Sequence, residues 1–208
     1  MIIGLNGLIG SGKDTVTDYV IKTYQLEQMS FGKYVKDCLA VMFGWDREML
    51  EGKTKESRIW RDSVDVFWSS KLNLRFTPRL AMQLYGTELV RKHLNNDFWI
   101  NRFELDYEKR ENKNIIVSDC RFINEIEKIR ELGGTIIEIQ PKELPEWYET
   151  AKNQNLGMYN EDVMKKLYPQ IHVSEYGWIG LNNPDIIIKN DGTLDELYEK
   201  ISKIYLFD

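Results

Sequence analysis

The chain has 208 residues, a formal net charge of -5 and 42% hydrophobic residues, enough for one α/β domain with an elaboration around a sizeable core. A mildly acidic balance without a long basic run argues against a surface that coats nucleic acid, and no stretch of about 18 apolar residues offers a membrane span. Cys38 and Cys120 make neither a CxxC pair nor a zinc spacing. With no basic or long apolar leader at the N-terminus, they predict reduced thiols in a cytoplasmic protein.

The run Met1-Ile2-Ile3-Gly4-Leu5-Asn6 predicts a strand, and Gly7-Leu8-Ile9-Gly10-Ser11-Gly12-Lys13-Asp14-Thr15 follows it with the spacing of a phosphate loop. Glycines let successive backbone N–H groups turn inward around phosphate oxygens. Lys13 is placed to reach the outer phosphates, and a helix with Val16, Tyr19, Val20 and Tyr24 at apolar intervals aims its positive end at the same anion. Asp14 stands where such loops usually carry Ser or Thr for magnesium, with Thr15 one place later; a carboxylate is a hard-cation ligand whose charge also opposes the nucleotide.

Phe31 to Phe43 predicts a second helix, with Ser30 as its cap and Gly44-Trp45-Asp46 as its end. Asp46 to Arg75 reads as helices with a turn near Leu72-Asn73. Thr77 and Pro78 open a helix expected to reach Leu94, and Asp97 opens another to about Lys109. Asn114-Ile115-Ile116-Val117-Ser118-Asp119 is a strand buried on both faces, Phe122 to Leu132 a helix, and Thr135 to Ile139 a strand. That βαβ order predicts a mostly parallel sheet. Residues 141–176 are polar, aromatic and irregular, suited to a mobile cover. Asp185 to Ile188 is a last strand, and Thr193 to Tyr205 a closing amphipathic helix.

Asp119, at the carboxyl end of a strand, is a candidate for the metal shell or for substrate contact, with a helix cap as the plainer reading. Arg121 suits a bidentate hold on phosphate, with an ion pair to Glu125 as its alternative. Arginines stop after Arg130. Arg79, Gln83, Thr87 and Arg91 recur every four residues, a slowly drifting polar stripe on one helix; with Gly86 allowing close approach, the stripe reads as a face for phosphate and base. Arg58 and Arg61 join it as substrate candidates. Trp60, Trp68 and Tyr85 are candidates for base stacking that as single residues read as core. A phosphate loop with a separate arginine cluster points to two phosphorylated molecules, and so to phosphoryl transfer from a nucleoside triphosphate to a monophosphate. The acceptor needs no strong base. His172 divides between packing and a role in ordering the cover or contacting substrate.

Several segments in chain order resemble bacteriophage-type deoxynucleoside monophosphate kinases. They are the loop, Arg79 with Gln83, Gly86-Thr87-Glu88, Arg91 and Trp99, then Ser118-Asp119-Cys120-Arg121-Phe122 with Asn124-Glu125, His172-Val173-Ser174-Glu175, and Lys189-Asn190-Asp191-Gly192-Thr193. The resemblance implies an α/β, three-layer P-loop kinase fold in one domain, with core 1–29, 111–140 and 185–208, a helical acceptor-binding insertion 30–110 and a lid-like segment 141–176. It implies ATP and Mg2+ as cofactors, with Lys13 on the donor phosphates, Asp14 and Asp119 toward the metal, Arg121 near the transferred group, Asn190, Asp191 and Gly192 near the donor base, and Arg79 and Arg91 near a deoxynucleoside monophosphate. Such an enzyme would work in the host cytoplasm with a small-molecule partner and without nucleic acid or membrane; a homodimer stays open. The segment 141–176 has no arginine, which leaves Lys165 and Lys166, or Arg121 alone, to supply the lid charge common in this superfamily. A kinase of another small acceptor, such as dephospho-coenzyme A, and a nucleotide-dependent switch are the alternatives; for the switch, the order Lys189-Asn190-Asp191 reverses a guanine-reading signature.

Overall fold

The computed structural model describes residues 1–204. Tyr205, the expected end of the last helix, lies outside the described residues. The chain divides into two compact units: Met1–Ser30 with the chain from Asp106 onward, and Phe31–Leu105.

The first unit is built on a parallel sheet. Among the described residues it contains β1 (Ile2–Asn6), β2 (Glu27–Met29), β3 (Ile115–Val117), β4 (Thr135–Pro141) and β5 (Ile186–Asn190), in the order β2-β3-β1-β4-β5. β1 is central and all five of its residues are buried, as a parallel strand covered on both faces requires. Its odd residues, Ile3 and Leu5, share a core with Ile137 and Ile139 of β4. That core also holds Val16 and Val20 of α1 (Lys13–Tyr24) and Leu197 and Ile201 of α12 (Leu194–Ser202). Each such fully buried aliphatic side chain contributes about 1.5–3 kcal/mol. On the opposite face α8 (Ile123–Glu131) packs on β1 and β4; a side chain at Gly4 would press on its Ile129. Helices on both faces of the sheet make a three-layer α/β arrangement.

β2 is a strand that the sequence reading missed. It has three residues, two of them exposed, too short and too polar for a period-2 signal. Glu27 N–H donates to Asn114 O at 2.9 Å, and the Glu27 carboxylate takes Arg110 and Asn112. Ser30, expected as a helix cap, is not one: α2 (Lys33–Phe43) starts after Gly32 without a side-chain cap. The segment 141–176 folds into α9 (Tyr148–Asn155), α10 (Val163–Leu167) and α11 (Val173–Tyr176). Asn155 Nδ2 donates to Tyr176 O (2.7 Å) and Ile179 O (2.9 Å), so these short helices hold one another through buried Ala151, Met164 and Tyr176.

The second unit is helical. It contains α2, α3 (Arg47–Glu51), α4 (Lys55–Asp62), α5 (Val66–Leu72), α6 (Pro78–Gln83), a π-helical segment (Leu84–Leu94) and most of α7 (Phe98–Glu108). Helices of five to eight residues do not persist alone; here side chains cap them. Asp46 accepts from Glu48 N–H at 2.7 Å, Thr54 and Ser57 form a capping box, Asp65 accepts from Trp68 N–H at 2.9 Å, and Thr77 accepts from Leu80 N–H at 3.1 Å. Trp45, Trp60, Trp68, Phe43 and Phe76 form an aromatic cluster with centroid separations of 4.6–5.9 Å. Trp60 and Trp68 therefore pack within the unit.

The helix expected to run unbroken from Thr77 to Leu94 changes after Gln83 into the wider π form. The four-residue stripe is half-buried at Arg79, Gln83 and Thr87. Arg91 is buried and its Nη1 donates to Asn96 O at 2.9 Å. Gly86 makes room for Val35, and its carbonyl accepts from Trp99 Nε1 at 2.9 Å; the close approach expected there serves packing within the unit.

Candidate active site

In an open α/β sheet, ligands collect beyond the carboxyl ends of the strands. At those ends the sheet unit brings together the loop after β1, the turn after β3 and the segment after β5.

The loop turns on glycines that no other residue can replace without strain. Gly7 has φ 143° and Gly12 φ 99°, and a side chain would collide with Ile139 O at the first and with Asn190 at the second. Gly10 is also left-handed, at φ 78°. Gly12 starts α1 and offers no side chain to its first turn, so the free N–H groups there are available to an anion. Inside the loop the Ser11 hydroxyl is buried and has no hydrogen-bond partner among the described residues. An orphaned donor beside free N–H groups is what a phosphate-binding loop presents when its anion is not part of the structure. Asn190, at the end of β5, donates from Nδ2 to Ser11 O at 2.9 Å and so fixes the loop from outside.

Lys13 is folded back on the loop, its Nζ donating to Gly7 O (2.8 Å) and Leu8 O (2.6 Å). Burial and then the nearby Arg121 guanidinium lower its pKa to about 8, against the opposing pull of Asp14, Glu175 and Asp119. Three carboxylates and one guanidinium are thus gathered around one ammonium. Thr15 is half-buried and Asp14 exposed in the first turn of α1.

Asp119 lies two residues beyond β3, and its Oδ2 accepts from Ser30 Oγ at 2.7 Å. It caps no helix: α8 starts after Phe122. The ion pair considered between Arg121 and Glu125 is also replaced. Glu125 is buried and accepts from the backbone N–H groups of Arg121 (2.7 Å) and Phe122 (3.1 Å), which holds the turn. The Arg121 guanidinium reaches Glu175 of α11 at 2.5 Å. Burial opposes its charge, but Glu175, Asp119 and Glu125 more than offset that and raise its pKa above the usual arginine range. His172 opens α11, its Nδ1 accepting from Ser174 N–H at 3.2 Å, and so shapes the turn that presents Glu175.

Asp14 and Asp119 are the carboxylates here that could hold a magnesium ion, which keeps several waters and binds through one or two carboxylates plus substrate phosphates. No cluster of three or more His, Cys, Asp or Glu side chains suited to a metal occurs among the described residues, and magnesium bound in that way needs none. Beside the loop, Asp191 Oδ1 accepts from Lys200 Nζ at 2.6 Å, which lowers its pKa. Asp191, Gly192, Glu196, Glu199, Lys200 and Lys203 line a surface cavity of about 420 Å³.

The remaining candidates belong to the helical unit, and its arginines among them already hold protein groups. Arg79 makes a two-pronged pair with Asp62. Arg58 donates to Gly52 O and Lys53 O, and Arg61 to Glu51 O. Gln83 and Thr87 are half-buried on either side of the change from α to π helix. Sequence reasoning gave no role at the site to Ser30, Glu138, Glu175 or Asn182. Glu175 lies in a segment that the resemblance singled out, but nothing local marks it as a partner of Arg121, 54 residues away.

A family model described as "Deoxynucleotide monophosphate kinase" matches residues 49–201, most of the chain. The chain is 28% identical over 212 residues to a "Putative deoxynucleotide monophosphate kinase" of Acanthamoeba polyphaga mimivirus, covering 97% of this chain and 94% of that protein. It is 24% identical over 255 residues to the "Deoxynucleotide monophosphate kinase" of Enterobacteria phage T4, covering 96% of each. Among solved structures, shikimate kinase from Aquifex aeolicus aligns with a TM-score of 0.42 and 15% identity, covering 97% of this chain and 94% of that one. The extent of the family match places this chain in the deoxynucleotide monophosphate kinase family.

Proposed function

We propose that the protein transfers the γ-phosphoryl group of ATP to a deoxynucleoside monophosphate, giving ADP and a deoxynucleoside diphosphate for DNA synthesis in the cytoplasm of the cell that supplies both. The observation that carries this reading is the glycine loop, with its orphaned Ser11 hydroxyl, facing Lys13 beside the Asp119–Arg121 turn. An acceptor oxygen forms a bond to the γ-phosphorus as the bond from that phosphorus to the β–γ bridging oxygen breaks, and the electron pair leaves on ADP. The acceptor phosphate is already ionised at neutral pH, so the protein needs no general base.

The N–H groups of Gly10 to Thr15 hold the donor phosphates, and the Lys13 ammonium turns from Gly7 O and Leu8 O to the outer ones. Magnesium, when bound, supplies charge neutralisation between the phosphates. Asp14 and Asp119 are the side chains that would hold it, the latter steadied by Ser30. Arg121 stabilises charge on the transferred group, and its release from Glu175 accompanies nucleotide entry. Asn190 keeps the loop in place, with Asp191 and Gly192 beside the donor base. Arg58, Arg61, Arg79, Gln83, Thr87 and Arg91 are proposed for the acceptor, and His172 for ordering the segment that carries Glu175.

The test is ADP formation from Mg-ATP with dAMP, dCMP, dGMP or dTMP, each beside its ribonucleotide. Turnover that requires a deoxynucleotide is expected. Slow hydrolysis indifferent to every acceptor would overturn it.

A further inference from the structure

Resting on the kinase reading above, we propose that Asn6, Asn182 and Glu138 form a buried positioning device that sets the phosphate loop against the Asp119–Arg121 turn.

The strand period and the sheet register make the juxtaposition. Asn6 ends β1 and directly precedes Gly7; it pairs in register with Glu138 of β4, so the two side chains stand on the same face of the sheet. That face is otherwise apolar around Ile2, Gly4 and Ile136. Asn6 is 0% exposed, and Glu138 and Asn182 are each 4% exposed. Aliphatic side chains would fill such positions without the penalty of burying amides and a carboxylate.

Every bond in the set is directed. Asn182 Nδ2 spends its two hydrogens on Asn6 Oδ1 (2.9 Å) and Glu138 Oε2 (2.7 Å). With Oδ1 facing that donor, the Asn6 amide nitrogen must face the other way, and there it donates to Cys120 O at 2.7 Å. Flipping the Asn6 amide would set N–H against N–H and oxygen against oxygen. Gln140 Nε2 donates to the second Glu138 oxygen at 2.9 Å. Arg130 Nη1 holds Asn182 O at 3.2 Å.

Cys120 is the residue between Asp119 and Arg121, and Asn6 is the last residue before the loop. One side-chain amide therefore ties the two backbone segments that carry Lys13, Asp119 and Arg121, while the three network residues lie buried in the sheet unit. Phosphoryl transfer depends on how well such groups are aligned. Nucleotide affinity depends on the loop's own N–H groups, on Lys13 and on the Asn190 bond to Ser11, none of which bonds to the network. Its loss should fall on kcat and spare nucleotide binding.

The experiment compares full-length wild type with Asn6→Ala, Asn182→Ala, Glu138→Ala and Glu138→Gln. Deoxynucleotide-dependent kcat, Kd for Mg-ATP and Tm are measured, with assays run well below each variant's Tm. Asn6→Ala and Asn182→Ala are expected to lower kcat by about a hundredfold, the scale of a misplacement near 1 Å, with Kd changed by no more than about threefold. Glu138→Gln keeps an acceptor for Asn182 and, once the Gln140 amide turns to present its oxygen, meets Gln140 with a donor, so it should stay near wild type where Glu138→Ala falls at least tenfold. This pair keeps the test alive if the asparagine variants fail to fold. Unchanged kcat in the alanine variants, an equal loss of kcat and ATP affinity, or Glu138→Gln as impaired as Glu138→Ala would each overturn the positioning role. A wild type without deoxynucleotide-dependent turnover would overturn the kinase reading itself.

Discussion

The two units differ in whether their charged residues gather at one place. In the sheet unit, strand ends aim Lys13, Asp119 and Arg121 at a common space beyond the sheet, and the supporting bonds go largely to their backbone. In the helical unit the cations hold protein. Arg47 bridges Asp37 and Glu51, Lys36 reaches Glu51, Arg79 takes Asp62, and Arg102 lies 4.4 Å over the ring of Tyr34. The difference follows from length and hydrogen bonding. A parallel sheet satisfies its backbone across many non-local pairs, whereas helices of five to eight residues need side-chain caps and ion pairs to persist. An excess of arginine in such a unit measures its need for fasteners as much as its ligands.

Lys13 is the side chain on which the sheet unit's chemistry depends most. Lys13→Ala should reduce kcat by about a thousandfold or more, as removal of a charge that acts on the transition state does, with Tm nearly kept. A variant with near-normal turnover would remove the loop from the chemistry.

The same ammonium gives a pH signature. Burial and Arg121 hold its pKa at about 8 in the free protein, and bound phosphates would raise it again. Affinity for nucleotide should be flat below pH 8 and fall by about tenfold per pH unit above it, with proton uptake on binding near pH 8.5 seen by calorimetry in buffers of different ionisation heat. Because the unfolded chain binds this proton more tightly, Lys13 opposes folding below about pH 8, and that opposition is relieved as pH rises from 8 toward 10.5. No net proton uptake would mean that Lys13 does not turn to the nucleotide.

Arg91 and Arg79 sharpen the contrast within the helical unit. Arg91 is buried and holds a carbonyl, so Arg91→Ala should weaken the acceptor more than ATP and also cost about 1–3 kcal/mol of stability, through the group left without its partner. The exposed Arg79 pair contributes about 0–1 kcal/mol, so Arg79→Ala should raise the acceptor KM by about tenfold with Tm unchanged, a loss on the scale of one charged contact. If both variants alter stability alone, the arginines of this unit are fasteners only. The smallest effect is expected from Asp62→Asn, which frees Arg79 from its carboxylate and should lower the acceptor KM a few-fold; a raised KM would show that Asp62 orients Arg79 for binding.

The phosphate loop was legible in the sequence because its chemistry demands particular residues in an unbroken stretch: left-handed glycines, an ammonium and a helix start. β1, β3 and β4 were legible because burial on both faces leaves continuous apolar runs, and the edge strand β5, with Ile187 exposed, was legible from its run of three isoleucines. Local order therefore determined the α/β class and the donor side of the site. Only tertiary structure decided the rest. β2 exists through its pairing with β3, Ser30 meets Asp119 from 89 residues away, and Arg121 turns from the nearby Glu125 to the distant Glu175. The spacing from Arg79 to Arg91 could not show that Arg79 pairs with Asp62 or that Arg91 turns inward to Asn96 O, since both partners lie outside that helix. Asn182 gave no signal in its turn sequence, since its meaning lies in a bond to Asn6 across 176 residues. Periodicity encodes which face is buried; which polar groups meet on that face depends on register, and register is set by the whole sheet.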